Sequence, residues 1–309
     1  METTYDIAVI GAGPAGMAAA IYTSRANLKT IIFEKGMPGG QIALTSSVEN
    51  YPGFPEEISG ADLAMKFQRQ AQQFGAEFST DEIISINKPI GRPDNLLELK
   101  STDGKYTGKT VIIASGSKPT ALGIPGEKEF MGKGVSTCST CDGALFKDKK
   151  VFVIGGGDTA IDESLFLTKF VSALIVVHRR DKLKASPYLS EKAFKNKKIS
   201  FIWNTIPVEI KGTEKIEKLV LKNKKTGELS EHAADGIFVF IGHKPNTVFL
   251  KDILKLDNTG HIIVDKDMKT SMEGIFAAGD VRSGSMKQMS TSAGDGVCAA
   301  LSAQKYLEA

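Results

Sequence analysis

Two stretches of the chain repeat one arrangement of apolar and polar positions: an unbroken apolar run, a glycine turn, then a small-residue segment. The runs are Ile7-Ala8-Val9-Ile10 and Val151-Phe152-Val153-Ile154. A short apolar run that ends in glycine predicts a strand buried on both faces, as in a parallel sheet, with the glycine turn leading into a helix. Between the two copies, residues 61–74 place Leu63, Ala64, Phe67, Ala71 and Phe74 at helical spacing. Residues 83–86 and 96–100 predict strands around an exposed turn at 91–95, and residues 110–114 predict another buried strand. Beyond the second copy, strands are predicted at 175–177, 201–203, 219–221, 236–241 and 262–264, with a further one in Gly274-Ile275-Phe276-Ala277-Ala278-Gly279-Asp280. A helix is predicted from about 290 to 307. Strands alternating with helices make this an α/β chain.

Two breaks interrupt the pattern, at Ser115-Gly116-Ser117-Lys118-Pro119 and at Gly242-His243-Lys244-Pro245-Asn246. They divide the chain into residues 1–117, 118–245 and 246–309, the middle part inserted between two parts of one domain. A length of 309 residues fits two domains, and two short connections are how a hinge is built.

The two turns are Gly11-Ala12-Gly13-Pro14-Ala15-Gly16 and Gly155-Gly156-Gly157-Asp158-Thr159-Ala160. Glycine there lets backbone N–H groups approach a pyrophosphate, and the helix dipole favours its charge. Glu34 lies 23 residues past Gly11, and His178 lies 23 residues past Gly155, opening His178-Arg179-Arg180. An acid at that place suits a free ribose 2′-hydroxyl; a cationic cluster suits a 2′-phosphate. The chain is therefore expected to hold FAD on the first turn and NADPH on the second.

Three cysteines are present. Cys298 sits in a small-residue stretch and is expected to be a packed apolar residue. Cys138-Ser139-Thr140-Cys141 is a lone CxxC. Four scattered histidines offer no second ligand pair, so no metal site is expected, and in a reducing cytosol the pair reads as catalytic. Asp142 follows directly, either as an acid favoured by a helix N-terminus or as a general acid for a departing thiolate. A net charge of +3 is too small to point to nucleic acid. No apolar run reaches the length of a membrane span. The first strand is entered by Tyr5, which leaves no room for a secretory signal, so a cytoplasmic protein is expected.

Over its whole length the chain resembles the low-molecular-weight, NADPH-dependent thioredoxin reductases. The motifs that carry the resemblance are the two glycine turns, Gly39-Gly40-Gln41, Glu49-Asn50-Tyr51-Pro52-Gly53, Cys138 to Gly143, His178-Arg179-Arg180, Gly242-His243 and Gly274 to Asp280. The resemblance implies two Rossmann-like dinucleotide-binding domains of three-layer ββα type, the NADPH domain inserted into the FAD domain. It implies a homodimer and a thioredoxin-like protein as substrate. Carried over by position, Gly11, Gly13, Pro14, Ala15, Glu34, Gly40, Gln41, Asn50, Ala114, Gly279, Asp280, Lys287, Gln288 and Met289 would meet FAD. Gly155, Gly157, Asp158, Thr159, His178, Arg179, Arg180, Lys184 and Gly242 would meet NADPH. Cys141 would face the flavin, Cys138 would attack the outside disulfide, and Asp142 would act as the acid. The family usually has Arg where Lys287 stands, and often where Lys184 stands; both departures keep the cation and lose its planar fork.

A flavin accepts hydride from a nicotinamide and reduces a disulfide. The CxxC and the second turn lie on one domain, 14 residues apart, while the flavin belongs to the other. Presenting each to the flavin in turn calls for rotation about the two breaks, as the resemblance also implies. Other readings remain at this point. A ferredoxin or flavodoxin reductase needs no CxxC, and a flavin-dependent dithiol oxidase needs no His-Arg-Arg cluster. A flavin-bearing redox sensor would switch a partner interface through the same cysteines.

Overall fold

The computed structural model describes every residue except 1–3, 45–47, 49, 57, 89–95 and 251. Glu49 and the turn expected at 91–95 thus lie outside the described residues. The chain first makes β1 (Thr4–Ile10), α1 (Pro14–Arg25), β2 (Thr30–Phe33), α2 (Gly60–Gln73), β3 (Glu77–Ser79), β4 (Ile83–Asn87), β5 (Leu97–Ser101), β6 (Lys105–Ile113) and β7 (Ser117–Pro119). It continues through β8 (Val135–Ser136), α3 (Ser139–Asp142), β9 (Lys150–Gly155), α4 (Asp158–Leu167), β10 (Ala173–Val177), α5 (Pro187–Lys195) and β11 (Ile199–Ile202). Then come β12 (Thr205–Gly212), β13 (Ile216–Asn223), β14 (Leu229–Ala233), β15 (Gly236–Phe240), β16 (His243–Pro245), β17 (Ile275–Ala277) and α6 (Met289–Glu308). Two compact units result: Met1–Lys118 with Lys244–Ala309, and Pro119–His243.

In the first unit the sheet order is β3-β2-β1-β6-β5-β4, with β17 also paired to β6. β1, β2, β3, β6 and β17 run parallel. Ile7 and Val9 pack with Met17, Ala299 and Ala303 on one face, while Ala8 and Ile10 pack with Phe33, Val111 and Leu250 on the other. A strand covered on both sides needs apolar residues at every position, which is why the run at 7–10 does not alternate. α1 and α6 pack at close range because Gly296 has no side chain; a Cβ there would stand 2.0 Å from the carbonyl oxygen of Ala15. α2 is capped by Ser59, whose hydroxyl accepts the Asp62 N–H at 3.1 Å.

The second unit has a parallel sheet in the order β11-β10-β9-β15-β8 and an antiparallel sheet β12-β13-β14. Phe152, Ile154, Ile237 and Val239 face Ile210, Leu219 and Leu221 of the antiparallel sheet. Val151, Val153 and Phe238 face Ile161 and Leu167 of α4. The unit is a three-layer sandwich of sheet, sheet and helices.

Two expectations from the sequence fail. Residues 262–264 do not form a strand; Ile262 makes only isolated bridges, to Leu256 and Arg282. The preceding turn is drawn around the Asp257 carboxylate, which accepts the N–H groups of Thr259 and His261 at 2.8 and 3.0 Å, and it leaves no length for a ladder. Cys298 is exposed on α6 rather than packed; the small residues that serve the core are its neighbours Ala299 and Ala300. No helix among the described residues is long and apolar enough to cross a membrane.

Candidate functional site

In each unit the parallel strands gather their carboxyl ends, and the strand carrying the glycine turn has its successor in the chain on one side, β2 or β10, and a strand from much later in the chain on the other, β6 or β15, the place in the strand order where a crevice for a ligand opens. At the end of β1, Gly11 has φ +104°, and a Cβ on it would lie 2.4 Å from the carbonyl oxygen of Ala114. Gly13 differs: it precedes α1, with Pro14 at the first helical position, and nothing lies within 4 Å of where its Cβ would be. Gly11 is therefore needed for close packing of the protein on itself. Gly13 keeps an open approach to the unbonded N–H groups of the helix start, which fits a pyrophosphate.

Glu34 follows β2 and folds back over this turn. Its carboxylate accepts the Ala12 N–H at 3.0 Å and the Gly36 N–H at 3.2 Å. Gly39 N–H donates to Ala12 O at 2.7 Å, which lays the next turn, with Gly40 and Gln41, against the first. The Gln41 amide donates to Ser117 O. Gly279 stands against Ala15, with 2.9 Å between Ala15 Cβ and an imagined Cβ. The structure thus brings Gly11, Gly13, Pro14, Ala15, Glu34, Gly40, Ala114, Gly279 and Asp280 together. Asn50 instead lines an open hollow of about 560 Å³ with Tyr51, Pro52 and Phe54. No hydrogen bond among the described residues ties it to the turn. Gln288 caps the start of α6, Met289 begins that helix, and Lys287 before them is exposed.

Sequence reasoning missed the pair that fastens this wall. Arg282 donates to Asp295 through Nε at 2.6 Å and Nη2 at 2.8 Å, and Asp295 also accepts the Gly279 N–H at 3.2 Å. Their side chains are only 16% and 10% exposed. One turn nearer the helix start, the Ser292 hydroxyl donates to Asp280 at 3.1 Å. The only hint in the sequence was a charged residue inside the small-residue face of α6. Arg282→Met would leave a buried carboxylate without its counter-charge, a loss of about 3–5 kcal/mol when one partner of a buried pair is removed. Thermal unfolding and the FAD content of the purified variant read this out, both falling, with partial recovery in Arg282→Met/Asp295→Asn.

The second turn is built on the same plan. A Cβ on Gly155 would meet Phe240 O at 2.5 Å and the Ala160 methyl at 2.6 Å, whereas Gly157 faces open space. Gly156 is pinned by His178: a Cβ would stand 2.3 Å from Nδ1 of the ring. His178 is buried, and burial first, then the charges of Arg180 and Arg179, hold its pKa below the usual imidazole value. A neutral ring under the turn supports it; it is not one of the cations. Arg179, Arg180 and Lys184 are exposed, and none has an ion-pair partner among the described residues. Thr159 is exposed at the start of α4. Gly242, with φ +115°, accepts the Thr120 N–H at 2.8 Å.

Cys138 and Cys141 are joined by a disulfide, with Cα atoms 5.4 Å apart. Cys138 caps α3 from the end of β8, so the bond lies at the same carboxyl edge as the second glycine turn. The Cys141 N–H points at Cys138 Sγ, 3.1 Å away, where it stabilises a thiolate once the bond is opened. With four residues, α3 has little macrodipole, so this single N–H replaces the helix-start effect expected from the sequence. Asp142 ends the helix, and its Oδ2 accepts the Ser136 hydroxyl at 2.6 Å. Ser136 Oγ in turn accepts the Cys138 N–H at 3.0 Å, linking the acid to the backbone of the cysteine. A second acid was missed: Glu163 on α4, beside Ser139, whose carboxyl burial pushes above its usual pKa. Among the described residues no group of acids, cysteines and histidines could hold a metal ion.

Comparison with known proteins agrees with this geometry. The pyridine nucleotide-disulphide oxidoreductase family matches residues 5–296. The thioredoxin reductase of Peptoclostridium litorale is 48% identical, the match covering 100% of this chain and 98% of that protein. That of Bacillus subtilis is 46% identical, over 99% of this chain and 96% of the other. Among solved structures, the thioredoxin reductase from Streptococcus pyogenes superposes with a TM-score of 0.87 at 42% identity, covering 100% of this chain and 99% of that one.

Proposed function

We infer that this chain, which belongs to the pyridine nucleotide-disulphide oxidoreductase family, is a thioredoxin-disulphide reductase that uses FAD and NADPH. The observation that carries the reading is the Cys138–Cys141 bond, set at one sheet edge with a glycine turn and three cations that have no ion-pair partner among the described residues. Bound FAD supplies hydride acceptance from NADPH and delivery of two electrons to a disulfide.

The chain's own residues do the rest. Gly13 and the start of α1 receive the FAD pyrophosphate, Glu34 the adenosine ribose, and Asp280, Gln288, Lys287 and Met289 line the flavin end. Gly157 and the start of α4 receive the NADPH pyrophosphate, with Arg179, Arg180 and Lys184 on the 2′-phosphate. Once reduced, the Cys138 thiolate attacks one sulfur of the partner's disulfide and expels the other as a thiolate, which takes a proton from Asp142. The Asp142 carboxylate then takes the proton of Cys141, whose thiolate attacks Cys138 Sγ in the mixed disulfide. The second partner sulfur leaves, regains that proton from Asp142 to become a thiol, and the Cys138–Cys141 bond re-forms. The hydrogen bond from Ser136 keeps the Asp142 carboxyl beside the cysteines throughout.

Because the disulfide and the NADPH turn share one unit, each is presented to the flavin in turn by rotation about residues 117–120 and 242–246. The protein works as a cytoplasmic homodimer, in keeping with its likeness to the family. The dithiol oxidase and sensor readings are not favoured, since the relatives are reductases and the cation cluster is intact. NADPH consumption by the FAD-loaded protein should depend on added oxidised thioredoxin. Oxidation that ignores thioredoxin and tracks oxygen instead would overturn the assignment.

A further inference from the structure

An acid is out of place in a phosphate-binding turn. Asp158 follows the open Gly157 and is the first residue of α4, where a free carboxylate would repel the pyrophosphate the turn is shaped to receive. The structure shows what engages that charge. Oδ1 of Asp158 accepts the backbone N–H of Ser186 at 2.6 Å. The N–H groups of Lys184 and Ala185 donate to Gly156 O at 2.7 and 3.1 Å. Residues 184–186 therefore lie across the second turn as a strap held at three points, one of them a charge-assisted bond. On one side the strap continues into Pro187 and α5; on the other it leads back to Arg179 and Arg180. Lys184, Ser186 and Asp158 are all exposed; within the strap only Ala185, with Leu183 just before it, packs against the core, and neither fixes the direction of the Lys184 side chain.

We propose that Asp158 is a specificity-determining positioning residue: it fastens the strap of residues 184–186 and so holds Lys184 beside Arg179 and Arg180, where the three receive the 2′-phosphate. The inference rests on the reading of this unit as an NADPH site. Phosphorylated and unphosphorylated nicotinamide dinucleotides share the pyrophosphate and differ only at the 2′ position. A residue that acts through Lys184 alters the preference between them. A residue that merely supports the turn alters both affinities together.

The test is calorimetric titration of the oxidised, FAD-loaded full chain with NADP+ and with NAD+. Wild type must prefer NADP+; absence of any preference defeats the NADPH reading itself, whatever the variants do. Asp158→Ala should cut the preference by about tenfold, the loss of one well-formed hydrogen bond to a charged group, with little change toward NAD+. Asp158→Asn keeps an accepting oxygen and should stay near wild type. Ser186→Pro removes the same bond from the donor side, at a φ of −54° that proline accepts, and should also cut the preference. In a Lys184→Ala background, Asp158→Ala should have no further effect on the ratio. An unchanged ratio in Asp158→Ala or Ser186→Pro overturns the proposal. So does an equal loss toward both dinucleotides, or an undiminished effect without Lys184.

Discussion

Replacing Cys138 with serine should abolish reduction of thioredoxin, by more than about 10³-fold in turnover, because loss of a nucleophile removes the covalent route altogether. Serine is nearly the same size, and Cys138 caps a helix of only four residues, so the fold should survive. The residues proposed to hold the flavin, Gly13, Glu34 and Asp280, belong to the other unit, and the turn proposed for NADPH does not use this side chain. Bleaching of the flavin by NADPH under anaerobic conditions should therefore persist in the variant. Stopped-flow absorbance separates the two steps. Thioredoxin reduction that survived the substitution would show that the electrons leave by some route other than this pair.

The second large effect concerns the choice of dinucleotide. Arg179 and Arg180 project from the end of β10 with no ion-pair partner among the described residues, and the ring of His178 beneath them is held neutral. Their charge is not spent within the protein. A hydrogen bond to a charged group contributes roughly 1.5–3 kcal/mol, so Arg179→Ala/Arg180→Ala should weaken NADPH by roughly 10²–10⁴-fold in kcat/KM. NADH has no 2′-phosphate and should lose only a few-fold. Since the two arginines are exposed, thermal unfolding should barely move. Equal losses for both dinucleotides would assign the arginines to the turn rather than to the phosphate.

Much of this molecule is legible in its sequence for a physical reason. Strands buried on both faces write themselves as apolar runs, and residues 7–10 and 151–154 stand out because each is clothed by a helix on one side. The glycine turns are equally visible, since Gly11 and Gly155 cannot carry a Cβ without striking a carbonyl oxygen. What stayed hidden follows other rules. β12 contains Pro207 and has its register shifted between Pro207 and Glu209, which blurs any alternation. The strand expected at 262–264 is apolar because Ile262 is buried, not because it is paired in a ladder. Cys298 looked like core because its neighbours are; one helical step of 100° separates a buried alanine from an exposed thiol.

The site shows the same division. Residues proposed to meet a ligand through backbone, such as Gly13 and Gly157, leave a motif. Residues that hold other residues in place do not. Arg282 and Asp295 are 13 positions apart and are joined only by the fold. His178 read as a cation beside Arg179, yet its ring is turned under Gly156. Asp158 read as a ligand contact, yet its carboxylate is engaged by the Ser186 N–H. In each case the proposed supporting role rests on the side chain's direction, which no spacing encodes.

The most direct measurement is a count of sulfhydryls. The FAD-loaded protein is reduced anaerobically with a small excess of NADPH, denatured, and its thiols are titrated against an unreduced sample. Two additional thiols per chain, absent when Cys138 is serine, is the result expected. A flavin that bleaches without producing them would contradict the passage of electrons from NADPH to the Cys138–Cys141 bond.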